Sequence, residues 1–245
     1  EYEVEIKNIK ILSKSESLPF DMGGENLKTG METMLDYRPL TLRHSSIAPI
    51  FKIQEKITKS FREFLTKNGF TEFQAPKIVA ADAEGGAAVM AVDYLGYPAA
   101  LAQSPQLYKQ IMVGVFERVF CVVNVFRGEP HSTTRHLNEY TSLDFEMGFI
   151  NSMADVMDME EAWLKQLCLE LKKFVPAEIL LPAKFTRLDM DEVLRLYQEA
   201  TGINSADEPD LAPQHERFIS DYAKEKFNSD FIFVTHYTLK RAFYS

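Results

Sequence analysis

A stretch rich in arginine, histidine and glutamate lies between two apolar segments of the sequence. Residues 127–139 contain two Arg, two His and two Glu, whereas a solvated turn carries mostly Gly, Asn and Asp. Arginine offers a planar fork of donors that matches phosphate oxygens. Arg127 and Glu129 lie two residues apart at the end of a predicted strand, so both point to one face. The stretch predicts a hairpin loop that binds a phosphate and an amine or nucleobase. An exposed, ion-paired hairpin is an equally good interpretation of these residues alone.

A second polar segment, residues 103–110, begins a predicted helix. Ser104 suits the N-cap and Pro105 the first helical position. Gln106 and Lys109 are three residues apart, hence on one face of the helix. A lysine beside an amide at a helix start can bind a small carboxylate. An ordinary amphipathic helix start is the simpler interpretation of this segment.

A third segment, Glu84-Gly85-Gly86, combines a carboxylate with glycines that let backbone approach a ligand closely. A plain turn is the simpler interpretation of this segment too. Taken together, the three segments offer a carboxylate for an amine, a lysine for an acid and arginines for phosphate. That set matches an amino acid plus a nucleotide. The sequence contains no Ser-His-Asp, Walker, zinc-ligand or Gly-x-Gly-x-x-Gly pattern.

The elements that must position these residues follow from the spacing of apolar side chains. Three- and four-residue steps predict helices, and two-residue alternation or short apolar runs predict strands. Helices are expected over 47–69, 107–116, 153–174, 189–201 and 213–226. Strands are expected over 2–12, 70–79, 89–95, 118–126, 141–150 and 231–234.

The strand over 141–150 has two distinct faces. Its Leu143, Phe145 and Met147 share one face, and Asp144 and Glu146 share the other. Strands grouped along the chain, with helices at the flanks, predict an α+β fold with an antiparallel sheet.

Composition excludes several classes of protein. The 245 residues are 46% hydrophobic, which is too apolar for a disordered chain. A net charge of −9 disfavours general binding to phosphate polymers but permits a local basic site. No apolar run reaches the roughly 20 residues that span a bilayer, and the first residues do not form a signal peptide. Two cysteines in apolar surroundings indicate buried free thiols in a reducing cytoplasm.

Several segments resemble the class II aminoacyl-tRNA synthetases, and among these the aspartyl-tRNA synthetases of the archaeal and eukaryotic type, which some bacteria also carry. Residues 67–78, with Pro76, resemble motif 1 of that class, and residues 126–139 resemble motif 2. The run 134–139 is specific to the aspartyl subgroup, and residues 35–43 resemble the start of its catalytic domain. The resemblance covers most of the chain.

The resemblance implies two domains. Residues 1–22 correspond to the end of an OB-fold anticodon-binding domain and the hinge after it. Residues 23–245 correspond to an incomplete class II catalytic domain, an antiparallel sheet flanked by helices. The Gly-rich third motif and the acidic Mg²⁺ ligand that follows it have no counterpart, so we expect no metal ligand within this chain.

The resemblance also implies a role for each matching position. Arg127, the expected catalytic residue, contacts the α-phosphate of ATP and the carboxylate of aspartate. The remaining nucleotide contacts are Glu129 on the adenylate, Arg135 and His136 on the outer phosphates, and the backbone of Leu137. The ammonium group of aspartate is surrounded by Glu84, Ser104 and Asp144. Gln106 and Lys109 bind aspartate, with Lys109 on its side-chain carboxylate.

The activity implied is the ATP-dependent activation of L-aspartate, assisted by Mg²⁺, and its transfer to tRNA-Asp. Whether tRNA-Asn is a second acceptor is left open. A homodimer through the motif 1 region near Pro76, a cytoplasmic location and no membrane attachment complete the expectation.

Three alternatives remain. An asparaginyl-tRNA synthetase is the nearest, but its amide substrate does not need a lysine, and residues 132–137 are more like the aspartyl loop. A truncated paralogue that binds aspartate or a partner without catalysis is the second. The third is a paralogue that makes asparagine from an aspartyl-adenylate, which the OB-like start disfavours.

Overall fold

The chain divides into two units, Glu1–Gln54 and Glu55–Ser245. The computed structural model describes residues 3–80, 89–128, 137–175, 178–205 and 208–237. The first unit contains α1 (Met31–Asp36), α2 (Arg38–Thr41) and the start of α3 (Ala48–Lys67). Within it the buried imidazole of His44 lies 2.9 Å from the carbonyl oxygen of Gly24.

The strand predicted over 2–12 is wrong for its described part. Residues 3–12 form neither strand nor helix, and Val4, Ile6, Ile9 and Ile11 are exposed. Alternation alone does not make a strand, because the backbone groups of a strand need a neighbour to bond with. Within the described residues, no strand pairs with this segment.

The second unit continues α3 and adds the remaining helices and strands. In chain order these are β1 (Thr71–Glu72), β2 (Ile78–Val79), β3 (Met90–Tyr94), β4 (Tyr97–Leu101), α4 (Gln106–Phe116), β5 (Arg118–Phe126), β6 (Glu139–Met147), α5 (Met153–Leu171), β7 (Thr186–Asp189), α6 (Met190–Thr201), α7 (Pro213–Phe227) and β8 (Ile232–Thr235). Helices and largely antiparallel sheets confirm the α+β prediction.

The central sheet has the strand order β1-β5-β6. β5 and β6 are antiparallel, as predicted. β1 is parallel to β5, which the sequence did not indicate. α3 and α5 cover one face of this sheet, where Phe61 packs edge-on against Phe120 and Trp163. The end of α3 also matches the prediction, since Gly69 takes a left-handed φ of 81° that is costly for other residues.

The strand predicted over 70–79 divides into two short strands on either side of Pro76. β1 joins the central sheet and β2 joins a second sheet of order β2-β4-β3. Proline has no N–H to donate to a ladder, so the pairing is interrupted there. The break lets one segment connect the two sheets. β4, which the sequence analysis did not predict, continues from β3 through a tight hairpin.

β7 and β8 pair in parallel, and α6 and α7 lie between them in the sequence. Met190, Val193 and Ile219 form a buried cluster in this part of the chain. The strand predicted over 231–234 corresponds to β8, but β7, with only four residues, was not predicted, and neither was the pairing.

A buried carboxylate connects α5 to the segment that leads into β7. Glu161 is 6% exposed, and its Oε1 accepts from Lys165 Nζ at 2.5 Å and from the backbone N of Phe185 at 3.1 Å. Arg187, on β7, lies 3.9 Å from Oε2 and also pairs with Asp158. The carboxylate therefore holds cations from two elements.

Replacing this carboxylate tests its contribution to stability. Glu161→Gln removes a buried charge that two half-buried cations face, so we expect the free energy of unfolding to fall by about 2 kcal/mol, measured by urea denaturation. Glu199→Gln is the matched control, because exposed Glu199 accepts from Arg195 at 2.6 Å. The control should change stability by less than about 0.5 kcal/mol. Equal effects of both substitutions would contradict this role of Glu161.

Candidate functional site

The face of the central sheet opposite α3 and α5 carries the polar residues. Side chains alternate along β6, so Leu143, Phe145 and Met147 pack with the helix-covered face. Asp144 and Glu146 point the other way, as predicted, since both lie near the ammonium group of Lys109. Pairing of β5 with β6 sets Cys121 directly opposite Asp144.

α4 lies over this second face. Its Met112 and Val113 pack against the buried valines and Cys121 of β5. Lys109 is one helical turn before them on the same side of α4, so the packing of Met112 and Val113 also places Lys109 against this face of the sheet. Gln106, one further turn toward the start of the helix, is also buried. The predicted common face of Gln106 and Lys109 is therefore confirmed.

Lys109 lies in a cluster of polar side chains and is 8% exposed. Its Nζ donates to Asp144 Oδ1 at 2.7 Å and lies 3.6 Å from Glu146 Oε2. The hydroxyl of Ser142 donates to the other oxygen of Asp144. Both oxygens of Asp144 are thus engaged, and one lysine faces two carboxylates.

The charges in this cluster shift the pKa values of two groups. Burial lowers the pKa of Lys109, but the hydrogen bond and charge of Asp144, with the charge of Glu146, outweigh it and raise the pKa. Lys109 is therefore a cation at neutral pH. Burial, and then the charge of Asp144, raise the pKa of the Cys121 thiol to about 12. Cys121 is therefore a neutral packing residue, as expected for an isolated cysteine.

The N-cap of α4 lies one residue later than predicted. Pro105 occupies the N-cap, with ψ of 17°, and α4 starts at Gln106. Ser104 nevertheless acts at the helix start, because its Oγ accepts from the backbone N of Gln106 at 3.1 Å. The hydroxyl thus binds one of the amides that a helix start leaves without a partner.

Arg127 follows β5 on the same side of the sheet. Its guanidinium lies over the ring of Tyr140, 5.9 Å from the centroid, and Tyr140 is two residues before Ser142 on β6. The backbone of Phe126 donates to the carbonyl of Ala102 at 2.9 Å, which joins the end of β5 to the segment before α4. Arg127, Ser104, Gln106, Lys109 and Asp144 therefore come from three elements that meet at one side of the sheet.

Four predicted residues lie outside the described ones, namely Glu84, Glu129, Arg135 and His136. Leu137 is described, and its side chain is exposed. The contact of its backbone with the nucleotide stays a prediction. The sequence placed Glu146 on the face of Asp144 without assigning it to the site, whereas Ser142 and Tyr140 were missed. Two-residue alternation from Asp144 would have found them on this face.

No group of three or more His, Cys, Asp or Glu side chains within the described ranges is arranged to hold a metal ion. In the same part of the chain, no helix is both long and apolar enough to cross a membrane.

Comparison with known proteins connects this geometry with one family. The model of a family described as tRNA synthetases class II (D, K and N) matches residues 30–245. The aspartate–tRNA(Asp/Asn) ligase of Deinococcus radiodurans is 43% identical over 254 residues, which cover 100% of this chain and 58% of the relative.

Two solved structures have the same fold. The asparaginyl-tRNA synthetase of Pyrococcus horikoshii, complexed with asparaginyl-adenylate, matches with a TM-score of 0.79 at 27% identity, over 90% of this chain and 52% of that one. The aspartyl-tRNA synthetase of Entamoeba histolytica matches with a TM-score of 0.73 at 32% identity, over 89% and 43%. The chain spans between 43% and 58% of the length of these three proteins.

The protonation of Cys121 can be tested by alkylation. In a Cys168→Ser variant, iodoacetamide should modify Cys121 of the folded protein at pH 8 at least about a hundredfold more slowly than in urea, because a thiol with a pKa of about 12 is almost entirely protonated. Mass spectrometry follows the reaction. Equal rates with and without urea would contradict the buried, neutral thiol.

Proposed function

Because the chain belongs to the class II tRNA synthetases (D, K and N), we propose that it carries the site at which L-aspartate is activated by ATP. The observation that carries this proposal is the buried ammonium of Lys109, which Asp144 holds at 2.7 Å on the side of the sheet where Arg127 lies. A cation in this position suits a substrate with a second carboxylate. Lysine and asparagine side chains have none.

In the proposed site, different residues bind the side-chain carboxylate and the ammonium group of aspartate. Lys109 binds the side-chain carboxylate of aspartate, and Gln106 also binds aspartate. Asp144, Ser104 and Glu84 bind its ammonium group. Support for this division comes from the two oxygens of Asp144, since each carboxylate oxygen accepts more than one hydrogen bond.

The nucleotide side is proposed to run from Arg127 along the segment that follows β5. Arg127 binds the α-phosphate and the α-carboxylate together, which suits the fork of its guanidinium. Glu129 binds the adenylate, Arg135 and His136 bind the outer phosphates, and the backbone of Leu137 lies near the nucleotide.

The reaction needs positioning and charge neutralisation rather than a protein nucleophile. An oxygen of the α-carboxylate of aspartate attacks the α-phosphorus of ATP, and the bond to the bridging oxygen breaks to release pyrophosphate. Arg127 neutralises charge that develops on the α-phosphate oxygens, and Lys109 holds the substrate in line. The 3′-terminal hydroxyl of tRNA-Asp then attacks the carbonyl and displaces AMP.

ATP use with Mg²⁺ fits this family. Mg²⁺ would share the phosphates of ATP and neutralise part of their charge. We also infer a cytoplasmic protein, an anticodon-binding OB-fold whose end is residues 1–22, and a catalytic domain over residues 23–245. The relative from Deinococcus radiodurans bears a name with both tRNA-Asp and tRNA-Asn, which supports tRNA-Asn as a second acceptor.

Activation of asparagine is the competing function, since an asparaginyl-tRNA synthetase shares the fold. Exchange of labelled pyrophosphate into ATP by the full-length protein tests the two functions directly. We expect exchange that depends on aspartate and not on asparagine. Exchange with asparagine alone would favour the competing function. Binding of aspartate without exchange would indicate a paralogue that lacks catalysis.

The role of Lys109 predicts a selective defect. Lys109→Met keeps the length of the side chain and removes its charge, so the KM for aspartate should rise at least about a hundredfold while the KM for ATP stays within about twofold. The pyrophosphate exchange assay gives both values. Equal losses for the two substrates would mean that Lys109 supports the fold rather than aspartate.

A homodimer through the motif 1 region near Pro76 is proposed as well. Ile78 is exposed there, and α4 exposes Leu107, Ile111 and Val115 at four-residue steps. An exposed apolar stripe of this kind is typical of an interaction surface.

Charge on the α4 stripe should weaken the proposed dimer. Ile111→Asp places a carboxylate where apolar side chains would meet, so sedimentation should show a larger monomer fraction, with an unchanged circular dichroism spectrum. Lys224→Asp, at an exposed position of α7, is the control. A dimer that is insensitive to Ile111→Asp would exclude α4 from the interface.

A further inference from the structure

Glu146 faces the same lysine as Asp144 and has no role in the reaction described above. Its Oε2 lies 3.6 Å from Lys109 Nζ, and its side chain is 31% exposed. Asp144 is closer, at 2.7 Å, and is 18% exposed. The two carboxylates lie two residues apart on β6, so the strand holds both beside the lysine.

The proposed reaction makes two demands on Asp144 at once. It has to hold Lys109 and also accept from the ammonium group of the substrate. A lysine ammonium has three donors on a flexible four-carbon stem. When its closer partner is shared, the ammonium group needs a second fixed acceptor to stay in place. Within the described part of the site, Glu146 is the further carboxylate that pairs with Lys109.

We propose that Glu146 is a positioning residue, an inference that rests on the proposed function. Glu146 holds the ammonium group of Lys109 while Asp144 binds the ammonium group of aspartate. One donor of Lys109 then points to Glu146, one to Asp144 and one to the side-chain carboxylate of the substrate. Glu146 itself does not need to touch the substrate. Its charge also helps to keep the pKa of Lys109 above its ordinary value.

The proposal is tested with Glu146→Gln in the full-length protein. Gln keeps the size of the side chain and removes the charge. We expect kcat/KM for aspartate in pyrophosphate exchange to fall about tenfold, while the KM for ATP changes less than about twofold. At alkaline pH, the variant should also lose aspartate binding at a lower pH than the wild type, because Lys109 loses a carboxylate that raises its pKa.

Glu63→Gln is the matched control. Glu63 also lies 3.6 Å from a lysine, Lys59, but on the exposed surface of α3. The control should leave both substrates and the alkaline limit unchanged. If Glu146 merely stabilised the sheet, its replacement would lower the melting temperature and impair both substrates, with no change in the alkaline limit. That result would overturn the proposal.

A double-mutant cycle with Lys109→Met shows whether Glu146 acts through the lysine. If it does, Glu146→Gln should have less than a twofold effect on kcat/KM for aspartate once Lys109 is gone. Additive effects would overturn the proposal. If Glu146→Gln does not fold, Glu146→Asp, which shortens the reach and keeps the charge, should give the same selective defect. A wild-type protein without aspartate-dependent exchange would instead refute the proposed function itself.

Discussion

The ammonium of Lys109 is nearly buried, and burial of a charge costs several kcal/mol unless close partners compensate for it. Asp144 at 2.7 Å and Glu146 at 3.6 Å provide that compensation. Their positions depend on the alternation of β6, on its pairing with β5 and on the packing of α4 over both strands. A shift of one residue in β6 would turn both carboxylates to the apolar face. The register of this strand pair therefore determines where the charges around Lys109 lie.

One face of the central sheet carries the apolar packing, and the other carries the residues of the proposed site. α3 and α5 close one face with aromatic contacts around Phe61 and Phe120. α4 packs on the other face, where Lys109 meets Asp144 and where Arg127 lies over Tyr140. Apolar packing on the closed face fixes the strands. Fixed strands hold the polar side chains close together in advance, so these side chains do not have to become ordered when a ligand binds. Buried Cys121 contributes to packing rather than to reactivity.

Fold similarity alone does not select the substrate. An asparaginyl-tRNA synthetase and an aspartyl-tRNA synthetase both match the chain with TM-scores above 0.7, because one scaffold supports several substrate specificities. The choice between an acid and an amide depends on charge and hydrogen bonding at a few side chains. In the proposed site, Lys109 favours an acid, and the carboxylates beside it hold it in position. Under this proposal, the choice between aspartate and asparagine depends on the ion cluster around Lys109.

The sequence by itself determined the long helix α3 with its glycine stop, the paired strands β5 and β6, and the common face of Asp144 and Glu146, because each follows from local periodicity. Through the family resemblance it also led to the prediction that Arg127 and Lys109 bind substrate. Only the tertiary structure decided that Lys109 pairs with Asp144, 35 residues away, and that β1 runs parallel to β5. It also decided that the first alternating segment forms no strand within the described residues. These features depend on which elements pack together, and spacing along a chain does not encode the register between distant elements.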